Sequence, residues 1–156
     1  ADDITILAFR VDEEPDQQGQ QLNLVIKADF QEIDRANQEF TQFSEQHGIP
    51  QNVTSKINIA IDELVNNIIA HGLKDNGDET IEINCNISDK RLIIEFIDRG
   101  MPFNPFDSLQ IDTTASVDDR EIGGLGRLLV SELMDDVSYQ RRKDKNVVRL
   151  LMNISD

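Results

Sequence analysis

Six stretches of the chain are rich in the apolar and β-branched residues that favour strands. They are residues 4–11, 22–26, 80–87, 91–97, 137–141 and 147–153. A Ser88-Asp89-Lys90 turn separates the third stretch from the fourth, and a charged Lys143-Asp144-Lys145-Asn146 turn separates the last two. The pattern therefore predicts six strands, of which the last four form two hairpins.

Three other stretches carry apolar residues at the spacing of helices. The first helix is expected to begin at Asp29, an N-cap candidate with Glu32 in the capping-box position. The second spans about residues 51–71, with Gly72 as a candidate C-cap, and the third spans about residues 125–134. The apolar faces of the first two helices consist of Ile33, Ala36, Phe40, Phe43, Ile57, Ile61, Leu64, Val65 and Ile68.

The predicted elements run strand, strand, helix, helix, strand, strand, loop, helix, strand, strand. Hairpins without alternating βαβ units indicate an antiparallel or mixed sheet, with helices covering one face. We therefore expect an α+β fold, a two-layer sandwich, with residues 1–156 forming one domain. The polar segment 100–121 is long for a connection inside a compact domain, which is typical of a functional or disordered loop.

The net charge of the chain limits the kinds of molecule that it can bind. The chain has 156 residues, and 30 acidic side chains against 15 basic ones give it a net charge of −15. Nucleic acid binding requires Lys and Arg to neutralise phosphates, so a nucleic acid partner is not expected. A polyanionic ligand would need a cation such as Mg²⁺ to offset the repulsion from this charge.

The lone cysteine and the absence of long apolar runs indicate in which cellular compartment the protein is expected. Cys85 shares the face of neighbouring isoleucines, which favours a small buried residue over a reactive thiol. A lone cysteine cannot form an internal disulfide, which fits a reducing compartment. No apolar run approaches membrane-spanning length, so we expect a soluble, cytoplasmic protein without a membrane partner.

Glu63, Asn67 and His71 follow one another at intervals of four and therefore line one face of the second helix. Such a triplet is commonly just a solvated surface. Alternatively, the Asn67 amide oxygen is a suitable hard ligand for Mg²⁺, and the Glu63 carboxylate could accept a proton from an attacking hydroxyl. His71, at the helix end, is expected to act as a cap or an indirect support of the site.

Asp98 ends an apolar strand, and Gly100 follows it by two residues. This pairing is often only turn chemistry. It could equally provide a carboxylate that accepts a hydrogen bond from the adenine amino group, with Gly100 letting the base approach the backbone. The residues alone leave both interpretations open.

The run Gly123-Gly124-Leu125-Gly126 stands where a loop enters a helix, a place where free N–H groups can hold an anion. It is not a Walker A loop or a Rossmann fingerprint, because neither a Gly-Lys-Ser/Thr sequence nor a βαβ unit accompanies it. Arg120, just before the glycines, could reach a terminal phosphate, although a surface arginine in a mobile loop is the commoner case. Arg127 is open to the same two interpretations.

Together these three blocks resemble the ATPase fold shared by DNA gyrase, histidine kinases and bacterial anti-sigma-factor serine kinases. The resemblance covers roughly residues 30–154. Residues 98–105 and 124–135 are most similar to the anti-sigma-factor kinases. One departure is that many members carry Gly-Thr-Thr before the last strand, where this chain has Lys145-Asn146-Val147-Val148, so a threonine contact near adenine is missing.

The resemblance implies roles for individual residues. Glu63 matches the general base, Asn67 the Mg²⁺ ligand, and Asp98 the carboxylate that recognises adenine. Residues 101–122 match the lid over ATP. The residues expected around the nucleotide are Asn67, His71, Asp98, Gly100, Arg120, Gly123, Gly124, Leu125 and Gly126.

The resemblance also implies a function. We expect a protein serine/threonine kinase that uses ATP and Mg²⁺, acts as an anti-sigma factor, and phosphorylates an anti-sigma-factor antagonist. The expected partners are a sigma factor, that antagonist and a second copy of the chain in a homodimer. The alternatives are a non-catalytic ATP-binding module that sequesters a partner, and a catalytic domain detached from a histidine kinase.

Overall fold

The structure of the protein, a computed structural model, describes residues 20–73, 79–107 and 122–154. Its described strands form one antiparallel sheet with the order β1-β2-β3-β5-β4. The strands are β1 (Gln21–Lys27), β2 (Thr80–Ser88), β3 (Arg91–Asp98), β4 (Asp136–Arg142) and β5 (Lys145–Asn153). The strand predicted at residues 4–11 lies outside the described residues.

Within the described ranges, three helices cover the apolar face of this sheet. They are α1 (Glu32–Gln46), α2 (Gln51–Asn67) and α3 (Ile122–Leu133), and a π-helical turn (Ile68–Leu73) continues α2. Every predicted core position of α1 and α2 is buried, together with Ile83, Cys85, Ile94, Phe96 and Leu150 from the strands. The predicted two-layer α+β fold is confirmed. None of the described helices combines the length and apolar character needed to cross a membrane.

The ends of the first two helices differ from the prediction. Helix α1 begins at Glu32 after Gln31 rather than directly after Asp29. Asp29 Oδ1 accepts the Gln31 N–H at 2.9 Å, and Glu32 Oε1 accepts the Lys27 N–H at 3.1 Å, so both side chains bind backbone ahead of the helix. At the far end of α2, Gly72 is not a C-cap, because the chain continues through it in the π-helical turn.

Helix α3 begins at Ile122, three residues before the predicted start, so the glycine run is helical instead of forming the preceding loop. Glycine has a low helix propensity, which is why the sequence predicted a later start. Packing of α3 on α2 overrides that preference, since Gly126 lies directly against the side chain of Glu63.

The turns of the two hairpins are both shorter than predicted, and Ser88 belongs to β2. Asp89 and Lys90 both have positive φ, as the tight turn predicted between β2 and β3 requires. In the last hairpin the turn contains only Lys143 and Asp144, and Lys145 and Asn146 belong to β5. Asn146 therefore pairs with β3 on one side and β4 on the other, which brings it into the site.

Candidate functional site

Asp98 is a buried carboxylate at the end of β3, with 4% of its surface exposed. Its Oδ1 accepts two hydrogen bonds, from the Gly100 N–H at 2.8 Å and from Asn146 Nδ2 at 3.0 Å. Burial raises the pKa of Asp98; the two hydrogen bonds and the nearby charge of Arg141 oppose this rise without cancelling it. The predicted turn contact to Gly100 is real, but it occupies only one of the two carboxylate oxygens.

Asn146, which donates to Asp98, makes further hydrogen bonds to β4 and to the loop after β3. Its Nδ2 also donates to the Met101 carbonyl at 2.9 Å. Its Oδ1 accepts three hydrogen bonds, from Phe103 N at 3.3 Å, Tyr139 Oη at 2.5 Å and Arg141 Nη1 at 3.2 Å. Arg141 Nη1 in turn donates to the Gly100 carbonyl at 2.8 Å. The hydrogen bonds of one side chain thus link the last hairpin to the loop that follows β3.

Asn67 lies beside Asp98 and is 4% exposed. Its Nδ2 donates to the Glu63 carbonyl at 2.6 Å, which leaves Oδ1 as the amide atom that can face a ligand. A narrow cavity joins the two residues, and its lining includes Leu64, Asn67, Asp98, Phe103, Asn146 and Val148. Asn67 is therefore not part of a solvated helix surface.

Glu63 lies one turn before Asn67 on α2 and is half-exposed. Desolvation raises the pKa of its carboxyl group, and the neighbouring charge of Asp62 adds to the rise. A raised pKa brings a carboxylate nearer to the range in which it accepts a proton efficiently.

Gly126 brings α3 against the Glu63 carboxylate. A Cβ atom at Gly126 would lie 2.0 Å from Glu63 Oε2, so no side chain fits there while Glu63 keeps its position. Because α3 begins at Ile122, the N–H groups of its first four residues lack partners within the helix. Gly123, Gly124 and Leu125 are among those four, whereas the Gly126 N–H can bond to Ile122 inside the helix.

His71 and Arg127 both contact the ring of Phe103, which lines the cavity beside Asn67 and Asp98. The His71 ring stacks on Phe103 with a centroid separation of 5.1 Å and an interplanar angle of 16°. The Arg127 guanidinium lies 5.2 Å from the centroid of the same ring, a cation–π arrangement. Arg127 is 8% exposed and is therefore not a surface arginine. His71 does not cap the helix, since it lies within the π-helical turn.

The donor set around Asn67 fits Mg²⁺ only in company with phosphate. In the described ranges no group of three or more His, Cys, Asp or Glu residues could hold a metal ion. Mg²⁺ commonly binds one or two protein oxygens and completes its shell with phosphate and water oxygens. Asn67 Oδ1 could serve as such an oxygen, and Mg²⁺ would supply charge neutralisation for the phosphates.

The structure brings together the three predicted blocks, which are the polar face of the second helix, Asp98 with Gly100, and the glycine run. Part of the predicted site lies in residues that the structure does not describe. Glu63 contacts Gly126, Asn67 and Asp98 line one cavity, and the His71 ring stacks on Phe103. Arg120 and residues 108–121 of the predicted lid lie outside the described residues.

Sequence reasoning missed the structural roles of three residues. The sequence pattern places Asn146 in a turn, and it places Tyr139 and Arg141 in a strand without a role in the site. The usable signal was the alternation of β5, which puts Asn146 on the same face as the buried Val148 and Leu150. An inward-facing polar residue at the start of a buried strand needs a hydrogen-bond partner, and Asp98 provides one.

Comparison with known proteins identifies the family and the fold of the chain. Residues 26–152 match the family described as the histidine kinase-like ATPase domain. The serine/threonine-protein kinase BtrW of Bordetella bronchiseptica is 28% identical over 94 residues, which are 60% of this chain and 66% of that protein. An anti-sigma F factor of Clostridium botulinum is 29% identical over 91 residues, which are 58% of this chain and 64% of that protein. The chain thus spans slightly less than two thirds of the length of these relatives.

A solved structure agrees with the fold. The RsbU and RsbW domains of a Mycobacterium tuberculosis protein superpose with a TM-score of 0.64, covering 87% of this chain and 33% of that chain. The identity of 16% limits this likeness to the fold. Since the family match extends over most of the sequence and the fold agrees with it, this protein belongs to the histidine kinase-like ATPase domain family.

Proposed function

We propose that the protein binds Mg²⁺-ATP and transfers the γ-phosphoryl group to a serine or threonine of an anti-sigma-factor antagonist. The observation that carries this proposal is the convergence of Glu63, Asn67 and Asp98 with the start of α3 around one region. Names of relatives support it further, because they include a serine/threonine-protein kinase and anti-sigma F factors.

Each residue in this proposal supplies one element of phosphoryl transfer, which depends mainly on positioning and charge neutralisation. Asp98 would accept a hydrogen bond from the adenine amino group. Asn67 would hold Mg²⁺ beside the phosphates, and the first N–H groups of α3 would bind phosphate oxygens. Glu63 would accept the proton of the attacking hydroxyl, and the raised pKa of its carboxyl group favours that role.

The proposed partners follow from the same relatives. As an anti-sigma factor the protein would bind a sigma factor, and binding of the antagonist would release it. That role would place it in the cytoplasm with those partners. A homodimer, a single domain over residues 1–156 and a lid over ATP remain predictions from the sequence.

Glu63→Gln provides the test. The substitution removes the basic carboxylate but keeps the shape of the side chain, so we expect Mg²⁺-ATP affinity within about twofold of the wild type. Transfer of labelled phosphate to a candidate antagonist should fall by about 10²–10⁴-fold, the usual contribution of a general base. Glu45→Gln on the exposed side of α1 is the matched control and should leave both quantities unchanged.

The results separate the proposal from its alternative. Unaltered phosphate transfer by the Glu63→Gln protein would remove Glu63 from the chemistry. A wild-type protein that binds ATP but labels no antagonist would favour the non-catalytic module that sequesters a partner. Failure of the folded wild type to bind either ATP or ADP with Mg²⁺ would contradict both functions.

A further inference from the structure

The face of the sheet opposite the helices has a cavity at the end of the last hairpin. The cavity has a volume of about 440 Å³, and two apolar side chains, Ile97 and Val147, form part of its lining. Three cations of the hairpin also line it, and they are Arg142, Lys143 and Lys145. We call this cavity the basic pocket. Because successive residues of a strand point to opposite faces, the basic pocket lies on the other side of the sheet from the candidate nucleotide site.

The charge of the basic pocket contrasts with that of the chain. The net charge is −15, yet four of the 15 basic residues occur within residues 141–145. Two acidic residues, Glu82 and Asp144, share the lining with the three cations. A compact dianion such as phosphate would lie near these carboxylates as well as near the cations. An extended segment can instead place separate carboxylates at separate cations and contact Ile97 and Val147, so the lining favours an acidic peptide.

The chain itself contains an acidic segment at a suitable distance. Residues 12–16, which lie outside the described residues, have the sequence Asp-Glu-Glu-Pro-Asp. At the start of β1, Gln21 pairs with Asn86, whereas the basic pocket lies in the row of Glu82, four residues away along β2 and two strands across. Strand dimensions make this distance about 16 Å. The chain from Glu14 to Gln21 can span up to about 23 Å, which is sufficient.

We propose that the basic pocket is the docking site for the acidic segment 12–16 of the same chain. Single ion pairs at a surface contribute little. A segment on a short tether, however, has an effective concentration on the order of millimolar, so several weak contacts are enough to hold it. The inference does not depend on the proposed function, because the docked segment and a nucleotide would occupy opposite sides of the sheet.

Carbodiimide coupling in the full chain tests this docking. The reagent joins a carboxylate directly to a lysine amine without a spacer, so it reports contacts, and mass spectrometry of the monomer identifies the joined residues. Coupling of the segment 12–16 to Lys143 and Lys145 should exceed its coupling to Lys90 by about tenfold, the combined effect of several ion pairs.

Lys90 is the internal control for coupling that arises from tethering alone. It lies in the turn between β2 and β3, at the same end of the sheet as Gln21, and is therefore nearer to the segment than the last hairpin is. A segment that is tethered without docking would couple to Lys90 at least as often. In about 1 M KCl the Debye length is about 3 Å, so the preference for Lys143 and Lys145 should disappear.

Two matched variants separate the basic pocket from basic turns in general. Arg142→Gln removes a cation from the pocket and leaves both lysines available for coupling, so the preference over Lys90 should fall by about threefold. Arg91→Gln is the control, because Arg91 also flanks the turn of a hairpin but lies at the opposite end of the sheet. It should keep the wild-type preference.

The outcomes decide between docking and its alternatives. Equal or greater coupling to Lys90, no coupling to the last hairpin, or an unchanged preference in Arg142→Gln would overturn the inference. Coupling to Lys143 or Lys145 found only between two molecules would mean that a second copy supplies the segment, which would also overturn it. The comparison of the wild type at low and high salt needs no variant and therefore stands even if Arg142→Gln does not fold.

Discussion

Gly126→Ala should separate stability from phosphoryl transfer. An added Cβ would lie 2.0 Å from Glu63 Oε2, 2.2 Å from Cδ and 2.8 Å from Oε1, so the two groups cannot occupy the same space. The three atoms form the end of a flexible, half-exposed side chain, and no backbone atom is among them. We therefore expect the Glu63 carboxylate to rotate away while α2 and α3 keep their positions.

The effect on stability follows from two opposing terms. Alanine in a helix interior is more favourable than glycine by about 1 kcal/mol. Forcing Glu63 away from its rotamer costs about 0.5–1.5 kcal/mol. These terms nearly cancel, so the free energy of unfolding should change by less than about 1 kcal/mol. Alanine keeps its backbone N–H, so Mg²⁺-ATP affinity should also change little.

The effect on catalysis should be much larger. If Glu63 is the general base, its displacement removes a contribution of about 10²–10⁴-fold from the rate of phosphoryl transfer. Urea unfolding, calorimetry with Mg²⁺-ATP and single-turnover transfer of labelled phosphate to a candidate antagonist measure the three quantities. The double variant Gly126→Ala, Glu63→Gln should be no slower than Glu63→Gln alone, because both changes act on one group.

Two results would refute this reasoning. Phosphoryl transfer at the wild-type rate would mean that the position of Glu63 against α3 does not matter for the reaction. A loss of several kcal/mol in unfolding free energy would mean that the backbone of α3, and not the carboxylate, absorbs the clash.

Asp98→Asn should weaken Mg²⁺-ATP binding by about ten- to a hundredfold in calorimetry, because one hydrogen bond to a charged group is lost. The pKa of Asp98 is higher in the folded protein than in the unfolded chain, so the folded state keeps the proton to a higher pH. The free energy of unfolding of the wild type should therefore fall as the pH rises from the unfolded pKa through the folded one. Asp98→Asn should lack this contribution in urea titrations, and an identical pH dependence would contradict the assignment. Burial raises the pKa of the Cys85 thiol, so this thiol should react with a thiol reagent only when urea unfolds the protein. Rapid reaction in the native protein would contradict its burial.

Much of the fold could be predicted because apolar spacing reports directly on burial. Ile57, Ile61 and Leu64 repeat at helical intervals, and all three are buried in the core that the sheet and helices share. The predicted boundaries were less accurate at the glycine run. Local propensity disfavours glycine in a helix, and the close contact of Gly126 with Glu63 depends on tertiary packing that the sequence pattern does not report.

The sequence by itself determined which residue types could bind a nucleotide and the order in which they occur. Glu63, Asn67 and Asp98 were identifiable because their spacing and their place at a helix face or strand end depend on local structure alone. The tertiary structure decided what each of them touches. Asn146 follows Asp98 by 48 residues, and only the antiparallel pairing of β3 with β5 places its amide 3.0 Å from that carboxylate. Hydrogen bonds between distant segments depend on the register of the sheet, which packing of the whole core establishes and no short motif encodes.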